Sequence, residues 1–199
     1  MRQQPVHDGL VADFFRSGEA SARMVFGNNL ENLPSTGRVL EIGCGKGRVV
    51  RYLAAQRAGA QFFGIDVSKE MIRLAWESDQ NNLPRNLCFV VGDGSTFDAF
   101  PDQFFDVLYS YIVFQHLPRH IVRSYLRHAE RILKPGGNLI FQVQTRSAVQ
   151  EIDPADDDFR TIRYYTSVQA RALVGPGFEL RTTRGAPDDH NFFVEAVRK

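Results

Sequence analysis

From Arg38 onward the chain alternates between short apolar runs and amphipathic segments, and this alternation constrains the fold more than any other feature. "RVLEIG" reads as a buried strand and "GRVVRYLAAQRAG" as a helix closed by Gly59. "AQFFGIDV" is a second strand, and Ser68 offers an N-cap for the helix "KEMIRLAWESD". "NLCFVVGD" and "FFDVLYSYIVF" give a third and a fourth strand. Pro118 suits the first turn of a helix over "RHIVRSYLRHAERIL", which Pro135-Gly136-Gly137 ends before the fifth strand, "NLIFQVQT". Strands this uniformly apolar must be covered on both faces, the situation in a parallel sheet with crossover helices on each side. Near the end come a helix, "SVQARALVG", and two strands, "FELRTTRG" and "NFFVEAVRK". Only "APDDH" separates these strands, too short for a helical crossover, so they pair antiparallel. The expectation is an α/β fold: a doubly wound, mostly parallel, seven-stranded sheet with an antiparallel end.

A chain of 199 residues is enough for one domain with a real core, and the whole of 1–199 is read as one. Two segments stand outside the alternation. Residues 1–36 read as a helical N-terminal cap, and residues 146–163, "RSAVQEIDPADDDFRTIR", as an acidic insertion after the fifth strand. A net charge of +1 gives no global attraction to nucleic acid or to an anionic membrane, so neither is expected as a partner. No run approaches the ~18 apolar residues of a membrane span, and "MRQQPVHDGL" lacks the pattern of a signal peptide. Cys44 and Cys88 are too few for a disulfide framework and lack metal-site spacing, so the cytoplasm is the expected compartment.

In a doubly wound sheet the ligand sits at the carboxyl ends of the strands where their order reverses, which points to the loop after the first strand. That loop, "VLEIGCGKGRVV", holds Gly43, Gly45 and Gly47. Glycine costs about 0.5–1 kcal/mol relative to alanine inside a regular element, so either the chain turns through positive φ or another molecule comes close. A phosphate-cradling loop would need Ser or Thr after Lys46, where Gly47 stands. A dinucleotide fingerprint would need a small residue at Arg48 or Val50, according to register.

What remains is Glu41-x-Gly43-x-Gly45-x-Gly47, which resembles motif I of the class I S-adenosylmethionine-dependent methyltransferases. Asp66 and Asp93 end the next two strands, in the right order for that family. "FDVLYSYIVFQHLP", "ILKPGGNLIFQV" and the terminal helix with its strand pair are similar to further family segments, so the likeness covers about residues 36–145 and 164–199. It implies a Rossmann-like sheet of order 3-2-1-4-5-7-6 with strand 7 reversed, and S-adenosyl-L-methionine as cofactor. It also implies cofactor contacts from Glu41, Gly43, Cys44, Gly45 and Gly47, from Asp66, Val67 and Met71, and from Asp93, Gly94, Ser110 and Tyr111. Asp66 would accept the ribose hydroxyls and Asp93 would approach the adenine amino group. The residue types also allow plainer roles, Asp66 as a helix cap and Asp93 as a turn former before Gly94.

Methyl transfer from a sulfonium needs orientation, and a base only when the acceptor arrives protonated. His116 in "FQHLP" is the candidate catalytic base; it also suits a loop contact to nearby backbone. Arg119, Arg123, Arg127 and Arg131 recur every four residues and read as the solvent face of an amphipathic helix rather than a phosphate-binding stripe. "SYIVF" stands where amino-directed nucleic-acid enzymes carry Asn/Asp-Pro-Pro-Tyr/Phe, and there is no Pro-Cys pair. A small-molecule acceptor is therefore expected first and a protein side chain second, with residues 1–36 and 146–163 bordering the cleft near Tyr111 and His116. The alternative is a catalytically inactive S-adenosylmethionine-binding partner subunit or sensor. An NAD-dependent oxidoreductase would need a Tyr-x-x-x-Lys pair, which is absent. The sequence offers no cluster of acidic or histidine metal ligands. Turnover is accordingly expected to survive EDTA; activity lost to the chelator and restored by magnesium would contradict this.

Overall fold

The computed structural model describes residues 17–78, 83–147 and 162–199. Residues 1–16 of the expected cap and 148–161 of the acidic insertion lie outside them. Residues 17–26 are helical (α1). The chain continues through β1 (Gly37–Ile42), α2 (Arg48–Gln56), β2 (Ala60–Asp66), α3 (Lys69–Glu77), β3 (Leu87–Val91) and β4 (Phe105–Ser110). After a 3-10 turn at Phe114–His116 come α4 (Arg119–Ile132), β5 (Leu133–Thr145), β6 (Tyr164–Tyr165), α5 (Ser167–Ala172), β7 (Phe178–Arg184) and β8 (Phe192–Arg198).

The strands stand in the order β3-β2-β1-β4-β5-β8-β7. Pairing is parallel from β3 through β5, and β8 runs antiparallel to both β5 and β7. The doubly wound sheet with its antiparallel end is therefore present. β6, which pairs parallel with Gln144 and Thr145, was not among the expected strands.

Alternate residues along the central strands feed opposite faces, as a period of two requires. Leu40 and Ile42 of β1 and Leu108 of β4 pack with Val122, Leu126 and Ala129 of α4. Val39 of β1 and Tyr109 of β4 pack on the other side, with Val25 and Phe26 of α1 and Val50 and Leu53 of α2. Ser68 caps α3 as expected, its side chain accepting from Met71 N.

Two boundaries differ from the expectation. β4 stops at Ser110 because Ile112 adopts φ 58°, which turns the chain out of the strand. β5 begins at Leu133, and its register against β4 shifts between Phe105 and Val107 to accommodate the Pro135–Gly137 segment. The arginine stripe of α4 also divides. Arg123 and Arg127 are exposed, whereas Arg119 bonds Tyr164 O at 2.8 Å and Arg131 bonds Phe97 O at 3.0 Å.

Phe105, fully buried at the start of β4, meets Phe63, Phe100 and Phe104 edge-on at centroid distances of 5.4, 4.9 and 5.0 Å. Phe105→Ala is expected to cost about 3–5 kcal/mol in urea denaturation, because it removes a ring that three others need. A loss below about 1 kcal/mol would show that the cluster repacks.

Candidate functional site

The loop after β1 is fastened to the end of β2. Gly43 N and Cys44 N both donate to Ile65 O, at 2.8 and 3.0 Å. Asp66 then uses both carboxylate oxygens: Oδ2 accepts from Gly45 N at 2.8 Å and Oδ1 from Ser68 N at 2.9 Å. Gly43, Gly45 and Gly47 have φ of 72°, 53° and 80°, conformations that side chains rarely adopt. Beyond φ they solve different problems. A Cβ on Gly43 would lie 2.5 Å from Val113 Cγ2, and one on Gly47 would strike the Phe89 ring. A Cβ on Gly45 would meet nothing within 4 Å, so only there does the loop's backbone face open space.

A cavity of about 520 Å³ opens at the carboxyl ends of β1, β2 and β3. Gly43, Asp66, Val67, Asp93, Gly94 and His116 line it, so the structure brings these expected site residues together. Its apolar wall comes from Ile112, Val113, Leu117 and Ile121. Val67 and Ile112 are 60% and 42% exposed, large apolar side chains left uncovered at one rim. Asp93 accepts from Ser95 N at 2.8 Å, Thr96 N at 2.7 Å and Thr96 Oγ1 at 2.5 Å. Burial pushes its pKa up, but these hydrogen bonds outweigh burial and hold it below the usual carboxylate value.

Other expected residues lie elsewhere. Tyr111 is turned away from the cavity: its ring stacks on Phe193 at 6.0 Å and its hydroxyl meets Met24 Sδ at 3.0 Å. The positive φ at Ile112 re-aims the chain just after it. Ser110 is buried and donates to Ile42 O at 3.3 Å. The Cys44 side chain points under the loop, against the Cα of Gly64, and burial pushes its thiol pKa well up. Met71 sits in the first turn of α3, outside the cavity lining. None of residues 17–36 or 162–163 lines the cavity; they reach Tyr111 through Met24 and the His116 carbonyl through Arg163 Nη1, at 3.3 Å. Ile112, Val113 and Leu117 lie inside the family-like segment "FDVLYSYIVFQHLP" but were not among the expected site residues, and Ile121 lies at the start of α4 with no motif to mark it. Among the described residues no group of His, Cys, Asp and Glu is placed to hold a metal ion, and no helix is long and apolar enough to cross a membrane.

Glu41 is buried between sheet and helix, where Oε2 accepts from Val50 N at 3.0 Å. α2 has glycine at its N-cap and no local side-chain cap, so a strand residue supplies one. Burial raises the Glu41 pKa to about 8, against the smaller opposing influence of the Tyr109 hydroxyl and the Val50 N–H. A folded-state pKa raised from 4.5 to about 8 means that the native protein holds a proton the unfolded chain releases. The stability carried by that proton is complete below about pH 4.5 and is lost as the pH climbs toward 8. Glu41→Gln keeps an acceptor for Val50 and is expected to flatten this decline, by up to about 1.4 kcal/mol per pH unit. Urea midpoints measured from pH 5 to 8 check it, and equal slopes in both proteins would refute it.

A family profile described as "Methyltransferase domain" matches residues 40–141, from β1 to β5. The phthiotriol/phenolphthiotriol dimycocerosates methyltransferase 1 of Mycobacterium ulcerans is 36% identical over 52% of this chain and 36% of its own length. The 2-methyl-6-phytyl-1,4-hydroquinone methyltransferase of Synechocystis is 33% identical over 56% of this chain and 33% of its own. Matches of this kind span about a third to a half of the curated relatives' length. Among solved structures, a SAM-dependent methyltransferase from Aquifex aeolicus superposes with a TM-score of 0.68 at 18% identity, covering 95% of this chain and 98% of that one. With the glycine loop, the strand order and the paired strand-end carboxylates already in place, the chain belongs to the class I S-adenosylmethionine-dependent methyltransferase family.

Proposed function

We propose that this protein transfers the methyl group of S-adenosyl-L-methionine to a small, largely apolar acceptor in the cytoplasm. The observation that carries the reading is the cavity at three strand ends, with Asp66 and Asp93 in its lining and the backbone of Gly45 open beside Asp66. Its volume, about 520 Å³, lies within the ~300–1,000 Å³ of small-molecule sites. The residues fit the cofactor. Each Asp66 oxygen has a lone pair left after its loop contact, enough to accept the ribose hydroxyls. Asp93 stands at the next strand end, where it would approach the adenine amino group, with Val67 and Gly94 beside it in the lining.

When bound, the cofactor supplies a methyl group already activated on a sulfonium. The chain's own residues orient and exclude water. Ile112, Val113, Leu117 and Ile121 form an apolar wall, and His116 lines the same cavity. Orientation of two reactants in this way is worth roughly 7–11 kcal/mol. The relatives' names describe a lipid and a prenylated hydroquinone as substrates, and the apolar wall supports an acceptor of related character here. The relatives' names are those of methyltransferases, which favours catalysis over a binding-only role. The helical cap of residues 1–36 and the acidic insertion of residues 146–163 are proposed to border the acceptor side; in support, Arg163 bonds the carbonyl of His116, a lining residue.

Titration calorimetry with S-adenosylmethionine tests the site, and S-adenosylhomocysteine release from a panel of acceptors tests the reaction. Asp66→Ala is expected to weaken binding by about 1.5–3 kcal/mol, the range for hydrogen bonds to a charged group. Gly45→Val is expected to abolish binding while the protein stays folded, because the new side chain would enter open space and not the core. Normal affinity in both variants would remove this loop from the cofactor site.

A further inference from the structure

Next to the cavity lies a buried chain of amides whose ends are backbone groups of fixed character. Ile112 N–H, which can only donate, points at Gln142 Oε1 at 3.0 Å. The carbonyl of His190, which can only accept, takes a hydrogen bond from Gln142 Nε2. These two contacts leave the Gln142 amide a single orientation. Its Nε2 also donates to Gln115 Oε1 at 3.1 Å, and a flipped Gln115 would set amine against amine there. Gln115 must therefore turn its own Nε2 toward His116 Nε2, 3.1 Å away. An amide N–H donates, so His116 Nε2 must be bare and the neutral ring must carry its proton on Nδ1. Turning the ring over would put Cε1 at that place and forfeit the bond.

We infer that Gln142 and Gln115 are positioning residues that lock His116 in the Nδ1–H tautomer, so that His116 offers the methyl acceptor a hydrogen-bond donor. The role toward the acceptor rests on the proposed methyltransferase reading; the lock itself does not. Gln142 and Gln115 are 1% and 5% exposed, so water does not replace a missing partner. The turn that carries His116 is held as well: Arg163 N donates to Gln115 O and His116 N to Val113 O, each at 2.8 Å. No described residue pairs with Nδ1, and His116 is among the residues that line the cavity. The lone pair that a base would use is thus engaged by Gln115, while the N–H is free to meet an occupant. The acceptor this site fits carries an oxygen or nitrogen lone pair near its reacting atom and does not surrender a proton to this ring.

Long-range ¹⁵N–¹H NMR of the ¹⁵N-labelled full chain at alkaline pH reads the tautomer directly, with His116 assigned as the signals missing from His116→Gln. The expected wild-type pattern is a pyrrole-like Nδ1 and a pyridine-like Nε2. Gln115→Leu removes the donor, and Gln142→Glu keeps the Ile112 contact while losing the N–H that orients Gln115. In both variants the Nε2 resonance should shift toward the pyrrole-like position, with the thermal midpoint checking that each is folded. Gln115→Glu should invert the pattern outright, since a carboxylate accepts where the amide donated. A wild-type proton on Nε2, or a tautomer unmoved in a folded Gln115→Leu, would overturn the inference. Neither result touches cofactor affinity, so the tautomer and the methyltransferase reading stand or fall separately.

Discussion

β1 hydrogen-bonds β2 along one edge, Gly37–Ile42 against Ala60–Ile65, and β4 along the other, Val39–Ile42 against Val107–Ser110. The helix leaving β1 packs on one face of the sheet, and the helix leaving β4 packs on the opposite face. Neither can cover the carboxyl end of β1, so a crevice opens there as a consequence of connectivity. The rest of the site depends on this one arrangement. Ile65 O, at the end of β2, receives two loop N–H groups, and Val113, from the loop after β4, leans on Gly43 from the other side. The glycine loop is shaped by its two flanking strands before any ligand is considered.

Support from beneath the loop is equally specific. Phe89 of β3 lies where a Gly47 side chain would be, and Arg51 of α2 stacks over its ring at 5.3 Å. Trp76 of α3 meets the same ring edge-on at 5.5 Å. The Arg51 guanidinium, buried with the ring, donates to Ala75 O and to Ser78 Oγ, tying α2 to the end of α3. Gly64 leaves room for the Cys44 side chain, whose Sγ would lie 2.8 Å from a Cβ there. Gly43 and Gly47 in the loop and Gly64 beneath it thus accept neighbours, and one, Gly45, is left facing outward. A sequence motif of three glycines conceals this division of labour, because all three have positive φ and the packing around them is what sets them apart.

That contrast explains what could be read before the structure. Strand order, crossover faces and the loop's position follow from periodicity and from glycine's access to positive φ, both local properties. Asp66 and Asp93 were legible because a strand end fixes where a carboxylate lies. Tyr111 was not, because its direction depends on Ile112 at φ 58°, and Ile112 is held there by Gln142 on a strand thirty residues away. Glu41 was legible as a motif residue but not as a buried acid capping α2, which needs the depth of the helix above it. The arginine stripe was half legible. Spacing puts Arg119, Arg123, Arg127 and Arg131 on one face, but only packing decides that Arg119 lies over the Tyr165 ring at 4.4 Å while Arg123 stays in water.

Local rules and the global fold agree through most of this chain and part company at one end of the sheet. There a β-branched residue sits at positive φ, which costs about 1–3 kcal/mol. A carboxyl group is buried far enough to raise its pKa to about 8. Gln142, Gln144 and Gln115 occupy the core where apolar side chains would be simpler to satisfy. Replacing a buried polar network by apolar side chains of matching shape is often neutral or stabilising, so stability alone gives no reason to keep one. What the network achieves is geometric: it supports the strained turn at Ile112 and the imidazole of His116 through the same two amides. Where a strained turn, a buried carboxyl group and a buried amide network gather around one cavity, the sequence is spending stability on the shape of that cavity.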